Sequence, residues 1–191
     1  MKTISKLLVW IIFILCFCQT AKSQYVSPIK DRWTINTSIV PEFTTPGKTP
    51  RNEIKLTLHK GINNFLETGI YLGHTKYWYL SSNGYSTEAG DRILTGVTIK
   101  AHFLPFIITA EDIRFDLYVR SRIGISQLFG DPNPAAENTF FQYCLGSGLA
   151  FYPTKKIGIF TEFGYDNKGL LGVQKWRLEY GLVFKFRRSQ N

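Results

Sequence analysis

Cysteine is scarce where it would matter. Three occur in the 191 residues, and Cys16 and Cys18 fall inside an apolar leader. Without that leader Cys144 stands alone. An intramolecular disulfide is then excluded, and with it a disulfide-stapled secreted domain. Long apolar runs are also missing. Beyond Leu7-Leu8-Val9-Trp10-Ile11-Ile12-Phe13-Ile14-Leu15, no stretch approaches the roughly 20 residues a spanning helix needs. This excludes a helical membrane protein but not a β-barrel, whose strands need only about 9–11 residues and alternate in polarity. No glycine-rich phosphate loop is present. The histidines His59, His74 and His102 lack metal-ligand spacing, so no metal or other cofactor is expected. There is no internal repeat, low-complexity tract or interdomain linker.

What is present begins with the leader. Lys2 and Lys6 precede the apolar run, and Ala21-Lys22-Ser23 places small residues where a signal peptidase reads. Residues 1–23 are read as a signal peptide cleaved after Ser23, and residues 24–191 as one domain. The apolar core is too short for a comfortable anchor. Acylation at Cys16 or Cys18 is opposed by the bulky Leu15 and Phe17 before them. Losing Lys2, Lys6 and Lys22 lowers 23 basic residues to 20 against 14 acidic ones, leaving +6. Those bases are scattered and the chain is exported, so nucleic acid is not an expected partner.

After the leader a period of two dominates. Eight segments show it. Arg32 to Val40 sets Trp33, Ile35, Thr37 and Ile39 against Arg32, Thr34, Asn36 and Ser38. Glu53 to Gly61 sets Ile54, Leu56 and Leu58 against Lys55, Thr57 and His59. Phe65 to Tyr79 and Arg92 to Leu104 continue it. In the fifth segment Phe115, Leu117, Val119, Ile123 and Ile125 oppose Asp116, Tyr118, Arg120, Arg122 and Gly124. Phe140 to Tyr152, Ile157 to Tyr165 and a last segment from Lys175 to Phe186 complete the set. The connections alternate in length: Pro41–Asn52, Ser81–Asp91, Gly130–Thr139 and Asp166–Gln174 are long, whereas Ile62–Asn64 and Pro153–Lys156 are tight and Pro105–Asp112 moderate. An even strand count with short turns on one side and longer loops on the other predicts an all-β fold: an eight-stranded antiparallel up-and-down transmembrane β-barrel.

A soluble barrel would turn its apolar face inward; a membrane barrel reverses the sense. The polar face here is rich in glycine, among it Gly96, Gly124, Gly146, Gly148 and Gly164. Small residues suit the crowded lumen of eight strands but weaken a solvated outer face. Aromatics also gather in two bands, Trp33, Phe103, Phe106, Phe151, Tyr152, Phe184 and Phe186 at one end, and Tyr77, Trp78, Tyr79, Phe140, Phe141, Tyr165 and Trp176 at the other, as interfacial girdles do. On this reading Leu117 meets lipid near mid-bilayer and Tyr118 points inward. The lumen then holds a charge network of Glu67, Asp116, Arg120, Arg122, Glu162, Arg177 and Glu179, with Lys55, Lys100 and Lys185. Such charges must pair to be tolerated.

On these residues the chain resembles the small outer-membrane β-barrel proteins of the OmpA/OmpX-like group, over roughly residues 32 to 186. The most specific element is Glu179-Tyr180-Gly181-Leu182-Val183-Phe184-Lys185-Phe186, which is similar to the family's C-terminal assembly signal. Glu179, Gly181, Phe184 and Phe186 occupy its characteristic positions. Arg187-Arg188-Ser189-Gln190-Asn191 follow, whereas many members end on the last aromatic. The resemblance implies a monomer in the bacterial outer membrane, in contact with outer-membrane lipid and read by the barrel-assembly machinery during biogenesis.

Chemistry is thinly represented. A His74–Ser81–Glu88 constellation is conceivable, but serine and glutamate are common in loops, and Cys144 reads as a small lumen residue. The expected function is a non-enzymatic, porin-like cell-envelope protein whose surface loops bind a partner or support envelope integrity. An enzyme acting on outer-leaflet lipid and a narrow pore are the alternatives, and no catalytic residue is assigned.

Overall fold

Strong alternation and dense β-branched and aromatic residues leave the chain one low-cost arrangement, a closed ladder in which no edge is left over. The computed structural model describes residues 29–41, 52–80, 87–104, 114–130, 138–167 and 175–187. Eight strands follow in order: β1 (Arg32–Pro41), β2 (Asn52–Gly61), β3 (Leu66–Leu80), β4 (Thr87–His102), β5 (Phe115–Phe129), β6 (Thr139–Phe151), β7 (Ile157–Asp166) and β8 (Trp176–Arg187). Each pairs antiparallel with its neighbour, and β1 closes on β8 with Ile35 opposite Phe184 and Ser38 opposite Gly181. The leader, residues 1–23, lies outside the described residues, as does Phe106.

Burial decides the sense of the two faces. Ile54, Ile70, Val97 and Phe141 are each more than half exposed on the outside, while Arg32, Lys55, Glu67 and Arg92 are each about 1 % exposed inside. The arrangement is inverted relative to a soluble protein. An apolar belt of this kind is stable against hydrocarbon and not against water, so the barrel is transmembrane.

Glycine on the inner face has a specific cause at Gly148. A Cβ there would come within 2.5 Å of the Tyr118 ring and 2.7 Å of the Glu162 side chain. The missing side chain is the space the tyrosine fills.

Several boundaries differ from the sequence reading. The second long connection is shorter than Ser81–Asp91, because β4 starts at Thr87 and pairs with β3 as far as Leu80. Polar residues Glu88 and Asp91 looked like loop; cross-strand pairing with Tyr79 and Lys76 outweighs their low strand propensity. Asp166 ends β7 and is buried. Tyr152 belongs to no girdle. It follows the last residue of β6 with inward parity and is 7 % exposed, its ring lying where a Gly158 side chain would be. Phe160 and Val183 also point inward and are buried. Leu117 is outward but sits one outward position from Phe115 at the start of β5, nearer one boundary of the apolar belt than its middle.

Candidate functional site

The lumen is where the sequence concentrated its charge, and strand alternation delivers that charge to one place. At the end where the chain enters β1, Arg32 donates from Nε and Nη2 to Glu67 Oε1 at 3.0 and 2.6 Å, and Thr34 Oγ1 adds a third bond at 3.2 Å. His102 stands between two carboxylates, its Nδ1 2.8 Å from Asp116 Oδ1 and its Nε2 3.4 Å from Glu67 Oε2. Above this, the Tyr118 hydroxyl donates to Glu162 Oε1 at 2.8 Å. Lys100 lies 3.2 Å from the same oxygen and 4.4 Å from the centre of the Tyr118 ring. Arg120 forms an ion pair with Glu162 as well.

Glu179 is the hub of the middle of the barrel. Its Oε2 receives Lys55 Nζ at 2.9 Å, Arg122 Nη2 at 2.9 Å and Arg120 Nη1 at 3.3 Å, while Ser38 Oγ donates to Oε1 at 2.6 Å. The chain of pairs continues outward. Lys55 also meets Glu53 at 2.8 Å, and Arg177 bridges Glu53 at 2.7 Å and Asp166 at 2.5 Å. Gln142 Nε2 donates to Asp166, and Arg92 Nε to Ser126 Oγ, each at 2.5 Å.

Glu67, Asp116, Arg120, Arg122, Glu162, Arg177 and Glu179 are all buried on the inner wall, but in two groups. Glu67 and Asp116 meet through His102, and Glu162, Glu179 and Arg177 belong to the run that ends at Asp166. Sequence reasoning placed Arg32 on the polar face without counting it in the network, and missed Glu53, Arg92 and Asp166. Glu53 and Arg92 opened their segments without being given a face, and Asp166 was read as the start of a loop. Glu53 lies two residues before Lys55 and Asp166 two after Gly164, so carrying the alternation one step further finds both.

Among the described residues, the space between these groups is small at one point. A cavity of about 10 Å³ opens beside Glu67, Lys100, His102 and Asp116. That is about the size of one water molecule. Cys144 is buried with its Sγ 3.6 Å from Arg122 Nη2. Among the described residues, neither ring nitrogen of buried His59 has a hydrogen-bond partner. Among the described residues, no cluster of His, Cys, Asp and Glu could hold a metal ion.

Two members of the conceivable His74–Ser81–Glu88 constellation, His74 and Glu88, stand at different levels of the β3–β4 pair. His74 Nε2 is 2.8 Å from Asp91 Oδ1 on the exposed outer surface. Glu88 pairs in register with Tyr79, five rungs from the His74–Ile93 pair, and Ser81 lies outside the described residues.

The last strand presents Phe184 and Phe186 outward, 36 % and 43 % exposed, and Glu179 inward. Gly181 lies against β1, where a Cβ would fall 1.9 Å from the Thr37 carbonyl oxygen.

No family model and no curated protein sequence matches the chain. Solved structures do. The N-terminal β-barrel domain of Pseudomonas aeruginosa OprF matches at 15 % identity with a TM-score of 0.53, over 82 % of this chain and 98 % of that one. Neisserial surface protein A matches at 13 % identity and 0.54, over 81 % and 96 %. Ail of Yersinia pestis in a phospholipid bilayer nanodisc matches at 17 % identity and 0.51, over 82 % and 100 %. By fold and by the polarity of its two faces, the chain is a small eight-stranded transmembrane β-barrel of the outer-membrane type.

Proposed function

We propose that this protein is a monomeric resident of the bacterial outer membrane, that its barrel is a closed scaffold, and that its outer loops carry its function by contacting a partner or the surrounding envelope. The observation behind this is the filled lumen. Two groups of paired side chains occupy the barrel, one from Arg32 to Asp116 and one from Glu162 to Asp166, and the described space beside Glu67 and Lys100 admits about one water molecule. Conduction would require that network to come apart, and each uncompensated buried charge is costly. Loops held on a rigid scaffold are common binding elements.

The scaffold reading predicts no unitary conductance in a planar bilayer. Shortening the Ser81–Ser86 and Gly130–Thr139 connections should leave a barrel that still migrates faster unboiled than boiled, and should abolish any surface interaction or lipid activity the cell displays. Activity that survived loop removal but vanished with Glu162→Gln or Arg120→Ala would place the function in the lumen and overturn the reading.

Biogenesis adds a second expectation. Glu179, Gly181, Phe184 and Phe186 act in this reading as the strand the assembly machinery recognises. Replacing both phenylalanines by alanine should lower the amount inserted in cells several-fold, while protein refolded in detergent loses much less stability. Normal insertion in cells would rule out that role.

A further inference from the structure

A groove runs down the lipid-facing wall near one end of the barrel. β6 and β7 are joined there by the tight turn Pro153–Lys156. Counting from the turn, the outward residues of β7 are Ile157, Ile159 and Thr161. Leu149 and Phe151 of β6 flank this row on one side, and Tyr180 and Leu182 of β8 on the other, each directly opposite Thr161 or Ile159. Thr161 is the shortest side chain of the group, so the wall is recessed along β7 between two apolar rims. The recess holds about 550 Å³. Away from the turn, the next outward residue of β7 is Phe163, stacked on Trp176 with 5.4 Å between ring centres. Near the turn, the Phe151 ring packs 5.1 Å from that of Phe115. Rims held in this way are formed before anything fills them, which lowers the cost of binding an occupant.

Depth and charge describe what fits. From Lys156 to Thr161 the strand advances roughly 17 Å, at about 3.4 Å per residue. At a tilt of about 35–45° that is a depth of about 12–14 Å, half of an apolar belt about 25 Å tall. The groove is therefore one leaflet deep. The turn at its mouth is basic, with Lys155 and Lys156 both exposed. Its backbone is fixed: Thr154 Oγ1 accepts from Ile157 N at 2.9 Å and from Lys156 N at 3.4 Å, and the Lys156 carbonyl accepts from Lys185 N of β8 at 2.7 Å. Lysines at a membrane boundary keep their charge at headgroup level while their stems lie along apolar surface.

We infer that this wall binds one anionic glycerophospholipid, with its phosphate at Lys155 and Lys156 and one acyl chain in the groove along Ile159 and Thr161. A chain anchored at the turn reaches the middle of the belt, which is the length of the groove. A zwitterionic headgroup would bring its own cation to the two lysines, so a net negative lipid is preferred. A second barrel docking by the same face would set a like pair of lysines against this one. The site is independent of any role of the long loops, which leave the barrel at its other end.

The test uses the whole barrel refolded in detergent with equal amounts of phosphatidylglycerol and phosphatidylcholine as probes. Native mass spectrometry counts the lipid that stays bound. One phosphatidylglycerol should be retained per barrel, in preference to phosphatidylcholine. Lys155→Gln/Lys156→Gln should lower that retention at least about tenfold. Thr161→Trp fills the groove and leaves the lysines, and should lower it to a similar extent; Thr161→Phe takes its place if the larger ring prevents folding. Lys60→Gln removes an exposed lysine at the same end, on β2 across the barrel, and should change nothing. Faster migration of unboiled than of boiled protein shows that each variant is folded. Four results would overturn the inference: equal retention of the two lipids, full retention without the lysine pair, a loss with Lys60→Gln as large as with that pair, or full retention once the groove is filled. The third would mean a diffuse effect of charge, and the last a headgroup patch with no seat for a chain.

Discussion

Glu179→Ala should destabilise the folded barrel by about 3–5 kcal/mol, the usual cost of removing one partner from a buried ionic cluster. The reason is local. A single carboxylate oxygen faces Lys55, Arg120 and Arg122 within 2.9–3.3 Å, and the other oxygen accepts from Ser38. Without the carboxylate, three buried cations share a confined space. Lys55 keeps Glu53 and Arg120 keeps Glu162, whereas the ion pair of Arg122 is with Glu179. The double variant Glu179→Gln/Arg122→Met should therefore recover a substantial part of what Glu179→Gln alone loses, although two native groups are gone. Urea unfolding of refolded protein in lipid vesicles measures both, and refolding in vitro separates stability from recognition of the last strand in cells. Simple addition of the two single-variant costs would show that these side chains are not energetically coupled and that the hub is a geometric coincidence.

The architecture was legible because it follows from a rule with one parameter. A period of two assigns every strand residue to a face, and an error of one residue would have turned the entire apolar set inward. Trp33 to Ile39, Phe115 to Ile125 and Trp176 to Phe186 alternate with few exceptions, Ser121 in an outward row and Val183 in an inward one, so the faces were fixed before any contact was known. Strand ends were harder. Asp166, Glu88 and Asp91 carry loop-like chemistry and sit in strands because a neighbouring strand pairs with them, which is information from elsewhere in the chain. The network was legible only as a set of lumen residues. That Glu179 gathers three cations, while His102 lies between Glu67 and Asp116, depends on the stagger between strands whose paired residues are 14 to 124 positions apart, which no local pattern encodes. The same holds for Tyr152, whose aromatic character suggested a membrane boundary while its parity placed it over Gly158.

Depth in the membrane gives the other large effect. Leu145 is 58 % exposed, lies midway along the outward row of β6, and has Ser121 and Tyr165 as its cross-strand neighbours. Leu145→Arg should cost about 2–4 kcal/mol, the penalty for a guanidinium at the centre of the apolar band, whereas Leu145→Phe should be close to neutral. Leu117 sits nearer one boundary of the belt, where the same penalty falls to about 0–1 kcal/mol, so Leu117→Arg should be clearly milder. Tyr118→Phe is a poor inward control for either. Its hydroxyl is bonded to a carboxylate at 2.8 Å, and losing a hydrogen bond to a charged group costs about 1.5–3 kcal/mol by itself. Cys144 is the better neighbour, since it is inward, adjacent to Leu145 and replaceable by serine at similar volume. Unfolding of the set Leu145→Arg, Leu117→Arg, Leu145→Phe and Cys144→Ser in vesicles should rank them in that order, with the first well separated from the last two. Equal losses at Leu145 and Leu117 would mean that the belt is centred lower on β5 than its apolar residues indicate. A harmless Leu145→Arg would mean that this wall does not face hydrocarbon, and the transmembrane assignment would fall with it.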